Sequence, residues 1–241
     1  MFTYGTIAFA SVFASGLVLL LVKIPRTPMK LLLAFSGAFL FAMSLLHLVP
    51  ELYMNGGAQV GIWILVGFMI QLLLEFISQG IEHGHVHHGE HAHNHGAKVP
   101  FGVVVGLCLH SFLEGMPLGV NTTTDEVFTP FLTGIVLHNI PVALAFMGLL
   151  LHNGNSRVKS VFWLIVFAVM TPLGMLAAHF AGTQLTGSLE PYFNIVTGIV
   201  VGIFLHISTT ILFETSENHR FNAAKFFAIL VGIATAWLIT Q

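Results

Sequence analysis

Eight stretches of this chain run for about the 20 residues that a bilayer-crossing helix needs, with almost no charge inside them. To within a few residues they are 2–22, 31–49, 60–79, 99–120, 127–151, 160–183, 191–213 and 222–239. Uninterrupted apolar runs of this length predict helices, since barrel strands would alternate weakly over about ten residues. Composition agrees: 56% of the 241 residues are hydrophobic and 7% charged, with mean hydropathy +0.89, which no ordinary soluble domain shows. The fold expected is an all-α integral membrane protein, a single domain over 1–241.

The net charge of −2 is too small to suggest nucleic acid, and the single cysteine, Cys108, has no disulfide partner. The first segment is not read as a cleavable signal, because its positive charges follow it. All eight basic residues, Lys23, Arg26, Lys30, Lys98, Arg157, Lys159, Arg220 and Lys225, fall in alternate loops or at their edges. The positive-inside rule then puts both termini outside.

Polar side chains inside these runs are costly, so they are functional candidates. His110 and Glu114 are four apart on one helix, and His138 with Asn139 falls at similar depth on the next, antiparallel one. An imidazole and a carboxylate on one face can hold a divalent cation. Pro117 and Pro141 each remove a backbone donor, which predicts bends and free carbonyls at Leu113 and Leu137 beside the candidate ligands. Gly102 and Gly106, and Gly115 and Gly119, also have the spacing of close helix packing.

Residues 80–98 read as a flexible cytoplasmic loop. His83, His85, His87, His88, His91, His93 and His95, half of the fourteen histidines, lie there among glycines. Such a tract binds transition metals weakly and exchangeably, an auxiliary role. His47 and Glu51 near the outer end of the second segment, and His179 near that of the sixth, are either outer ligands or interfacial groups in water. Gly198, Gly202, His206, Thr210 and Glu214 recur every four residues in the seventh, which suits either helix packing or an exit route. Glu75 is undecided between a pathway group and a snorkelling one.

Taken together, these features resemble the ZIP (Zrt-/Irt-like protein) metal transporters. The pattern H-[NS]-x-x-[ED]-G is met by His110, Ser111, Glu114 and Gly115, H-x-x-P by His138 and Pro141, and H-L-x-P-E by His47 to Glu51. The resemblance implies transport of divalent metal, chiefly zinc and in some members iron or manganese, into the cytoplasm. It places His110, Ser111, Glu114, His138 and Asn139 at the transport site, with the other helices around that pair as two inverted groups of three. The carboxylate, Glu-or-His and glutamate positions that help build a second metal site in some relatives are here Asn139, Val142 and Thr171, so one principal site is expected. No enzymatic activity and no cofactor beyond the transported ion are expected. An intramembrane zinc hydrolase is the alternative, although H-E-x-x-H is absent. A multi-pass protein of a bacterial inner membrane is the implied setting, and a homodimer is left open.

Overall fold

The computed structural model describes residues 2–22, 24–78, 99, 101–120, 125–185, 187–214 and 222–240. Every element among them is helical: α1 (Phe2–Leu21), α2 (Arg26–Met43), a π turn (Ser44–Leu48), α3 (Val49–Gly56), a 3₁₀ turn (Gly57–Gln59), α4 (Val60–Ser78), α5 (Phe101–Gly115) with a closing 3₁₀ turn (Met116–Gly119), α6 (Asp125–His152), α7 (Arg157–Thr183), α8 (Glu190–Glu214) and α9 (Ala223–Ile239). Helix is what such runs must form where water is excluded, because it satisfies every interior backbone group locally. Two starts are capped by side chains: Ser156 accepts from the Lys159 N–H, and Asn222 from the Lys225 N–H.

Among the described residues six helical stretches are long and apolar enough to cross a membrane, and α9 is a shorter apolar helix. One of the six is the 51-residue run Thr27–Ile77. At about 1.5 Å per residue it would reach more than twice the ~30 Å of a hydrocarbon core. The run is broken at Gly57, whose φ of +64° is open to glycine without strain.

Contacts fix the helix directions. Along α8, Gly198 faces Trp63, Gly202 faces Ile64, and His206 meets Glu75, so α4 and α8 run parallel. Gly37 of α2 lies on Ile211, whereas Met43 and Leu48 pack with Val200 and Phe204, so α2 is antiparallel to both. Gly102 on Ile77 and His110 on Gln71 set α5 against α4. Gly115 on Thr171 and Gly119 on Met175 make α7 parallel to α5. Gly5 by Met175 and Gly16 by Leu164 reverse α1, and Tyr4 on Phe128 with Leu19 by Gly148 aligns α6 with α1. Gly232 near Phe35 puts α9 alongside α2, and Lys225 on the Leu212 carbonyl sets its start at the end of α8, so α9 runs parallel to α2.

By their contacts the helices fall into two groups of four. One joins α2, α4, α8 and α9; the other joins α1, α5, α6 and α7; α4 on α5 and α2 on α6 connect them. The partnerships repeat, α1 with α6 matching α7 with α5, and α2 with α9 matching α8 with α4. One core cluster holds Phe39, Leu40, Met43, Phe131, Ile135 and Phe204; another holds Leu107, Val142, Phe146, Leu150, Leu164 and Phe167. Outward, Leu73, Phe76, Phe227 and Leu238 are exposed on α4 and α9, a surface that suits lipid rather than water.

Candidate metal site

His110 and Glu114 lie one turn apart on α5, and both are fully buried. Their shared face puts His110 Nε2 2.9 Å from Glu114 Oε1. From α6, the His138 ring stands nearly perpendicular to that of His110, centroids 5.9 Å apart. One ligand atom from each of His110, Glu114 and His138 lies within 4.8 Å of the others, the sole such buried trio found among the described residues. Two imidazole nitrogens and a carboxylate oxygen at this spacing match the donors that borderline divalent metals take.

Neighbouring side chains hold the trio. Asn139 donates from Nδ2 to Glu114 Oε2 at 3.2 Å, while its own Oδ1 is buried and makes no hydrogen bond among the described residues. Ser111 does not turn to the trio in this geometry; it shares a 2.8 Å hydrogen bond with the Thr171 hydroxyl of α7. Gln71, buried on α4, accepts from His110 Nδ1 at 3.2 Å. Sequence reasoning passed over Gln71, although an amide inside an apolar run four residues before Glu75 carried the same signal as His110 and Glu114.

Backbone packing explains how a polar cluster sits so deep. A Cβ at Gly115 would stand 2.1 Å from the Thr171 carbonyl oxygen, one at Gly119 1.9 Å from that of Met175, and one at Gly174 1.9 Å from that of Phe112. Glycine therefore lets α5 and α7 meet backbone to backbone, and the packing reading of Gly115 and Gly119 holds. Pro117 lies in the 3₁₀ turn that ends α5, and Pro141 lies within α6.

The remaining candidates stand outside the trio. His47 Nε2 is 3.9 Å from Glu51 Oε2, both side chains partly exposed. His179 is half-buried beside Phe180. His206 Nε2 lies 3.4 Å from Glu75 Oε2, its ring edge-on to Phe68 at 4.7 Å, so Glu75 is an interhelical partner rather than a lone surface charge. Gly198 and Gly202 face α4 closely, as packing glycines do. Glu214 closes α8, and its side chain, like the seven histidines of 83–95, lies outside the described residues.

A bundle of membrane-length helices enclosing a buried His/Glu cluster defines a polytopic membrane protein with a metal-type donor set in its interior. A family model described as "ZIP Zinc transporter" matches residues 99–240, more than half of the sequence and including all three members of the trio. The chain belongs to the ZIP family. It is similar to protein zntD of Dictyostelium discoideum (28% identical over 165 residues, 61% of this chain and 24% of that protein). It also resembles zinc transporter 1 of Oryza sativa subsp. japonica, at 29% identity over 55% of this chain and 40% of the relative. Zinc transporter ZIP9-B of Xenopus laevis is 26% identical over 64% and 52%. The matched regions thus span about a quarter to a half of the length of these relatives.

Proposed function

We infer that this protein carries divalent transition metal, zinc before iron or manganese, across a membrane into the cytoplasm. The observation that carries the reading is the buried trio His110, Glu114 and His138 with its ligand atoms within 4.8 Å, in a chain whose relatives include proteins named as zinc transporters. Water-excluded donors from two antiparallel helices suit an ion in passage between two groups of helices. The family match and the relatives give the intramembrane hydrolase no support.

In this reading eight helical rods cross the bilayer as one domain over 1–241. Arg26, Lys30, Arg157, Lys159 and Lys225 all belong to the beginnings of the parallel helices α2, α7 and α9, which gathers them at one end of the bundle. That end is the cytoplasmic one by the positive-inside rule, and both termini are outside. The repeated helix partnerships in opposite directions support an inverted repeat, with the trio near the midplane. The setting is a cell membrane, the inner one in a bacterium.

The principal site takes one ion on His110, Glu114 and His138, with Asn139 Oδ1 and Ser111 as weaker donors. Two neutral imidazoles and one carboxylate leave a divalent ion with a net charge of about +1, which favours release over trapping. The buried hydroxyl pair Ser111–Thr171 and apolar Val142 offer no second carboxylate beside the trio, so two adjacent ions bound there would contradict this reading. The His206–Glu75 pair and Glu214 lie on the way inward, His47, Glu51 and His179 on the way in from outside, and residues 80–98 collect metal in the cytoplasm.

Uptake of ⁶⁵Zn²⁺ into proteoliposomes of known orientation tests the reading. Saturable flux abolished by both His110→Ala and Glu114→Ala is the result expected. Equal flux in the native chain and both variants would overturn it.

A further inference from the structure

We propose that Gln71 is the positioning residue of the metal site, selecting which nitrogen of His110 faces the ion; this rests on the transport-site reading above. Neutral imidazole carries one N–H and one lone pair, and a metal takes the lone pair. Gln71 Oε1 lies 3.2 Å from His110 Nδ1, and an amide oxygen there holds the N–H on Nδ1. Nε2 is left as the donor nitrogen, the atom 2.9 Å from Glu114 Oε1 and so the one positioned to share an ion with that carboxylate. Ligating histidines need such a partner on the other ring nitrogen, and losing it commonly costs 10–100-fold in metal affinity.

The helix bearing Gln71 is held firmly enough for this task. One turn earlier, a Cβ on Gly67 would stand 1.8 Å from the Ile199 carbonyl oxygen, and one on Gly202 of α8 2.0 Å from that of Ile64. Further along, a Cβ on Gly102 of α5 would be 2.7 Å from the Ile77 carbonyl oxygen. α4 is thus pinned to α8 on one side and to α5 on the other, which fixes the Gln71 amide relative to the imidazole. Gln71 is also 0% exposed, and a buried amide is retained only where it is satisfied.

The test uses the full chain in detergent and in proteoliposomes, with Co²⁺ as a spectroscopic probe and Zn²⁺ in transport. Gln71→Leu keeps the volume and removes the acceptor, whereas Gln71→Glu keeps an oxygen facing Nδ1. The expected results are a 10–100-fold weaker Co²⁺ affinity in Gln71→Leu, with the change in KM for Zn²⁺ larger than that in kcat. Gln71→Glu should restore affinity to within a few-fold of native, with the native Co²⁺ absorption envelope. Native affinity in Gln71→Leu, or equal impairment in both variants, would overturn the positioning role. His110→Ala separates the two levels: if it too binds Co²⁺ as the native chain does, the transport-site reading fails and this inference with it. If it abolishes binding while Gln71→Leu does not, only the role of Gln71 falls.

Discussion

Replacing Gly115 by alanine puts a methyl group into the closest contact beside the site. The added Cβ would begin 2.1 Å from the Thr171 carbonyl oxygen, so α5 and α7 must part by about 1.3 Å to reach ordinary contact at 3.4 Å. Overpacking of this kind costs ~1–3 kcal/mol. The same parting stretches the 2.8 Å Ser111–Thr171 bond beyond hydrogen-bonding range, for about another 1 kcal/mol. Against this, alanine gains ~1 kcal/mol over glycine inside a helix. A net destabilisation of about 1–3 kcal/mol follows. Because α7 is backed by α1, with Gly16 close on Leu164, part of the displacement falls on α5 and moves Glu114. Metal–ligand distances tolerate only about 0.2 Å, so the site loses a ligand as well as stability. Gly148→Ala is the matched control, since its Cβ meets only Leu19 Cδ1 at an ordinary 3.6 Å. Thermal unfolding in one detergent, with ⁶⁵Zn²⁺ uptake on the same preparations, should show Gly115→Ala melting lower and transporting at least tenfold more slowly at limiting zinc, in line with the ~10–100-fold cost of disturbed ligand support. Gly148→Ala should be neutral or slightly stabilised in both. If Gly115→Ala is as stable and active as Gly148→Ala, the backbone contact does not hold the site in place.

Zinc affinity should fall on acidification, because His110 and His138 bind only as neutral imidazoles, so protons compete with the metal for the same nitrogens. Isothermal titration from pH 8 to 5.5 checks the sign, and constant affinity over that range would remove the histidines from the ligand set. Replacing the histidines of 83–95 by serine should lower the number of zinc ions bound at equilibrium while leaving saturable uptake in place. Dialysis and flux measured on one preparation decide this, and loss of all uptake would make the tract part of the route.

The helices were legible because their signal is long: twenty apolar residues leave few alternatives to helix, and observed ends such as Arg157–Thr183 and Glu190–Glu214 fall within a few residues of the expected 160–183 and 191–213. His110 and Glu114 were legible together because a spacing of four on one helix determines a shared face. Gly115 and Gly119 announced a close contact but not its partner, since spacing names a face and never the helix that covers it. The partner of Gln71 was hidden for that reason, since the amide stands out in an apolar run but its pairing with His110 depends on α4 lying beside α5. The Ser111–Thr171 pair joins residues 60 positions apart, and no local pattern encodes it. The division into groups of four likewise depends on which apolar faces fit one another, and faces of Leu, Phe and Val do not differ enough in sequence to say.

The π turn at Ser44–Leu48 has a bearing on how this chain should be compared with its kin. The Val49 N–H bonds to the Ser44 carbonyl five residues back, so this turn holds one residue more than an α-turn, just ahead of Pro50. One extra residue rotates everything beyond it by about 100° relative to a regular helix at 3.6 residues per turn. A relative without the extra residue would present the face carrying His47 and Glu51 in a different direction while its preceding helix superposed perfectly well. An alignment with such a relative should therefore carry a one-residue gap between 43 and 49, and residues matched without it would be equated with neighbours that look out on another side of the helix.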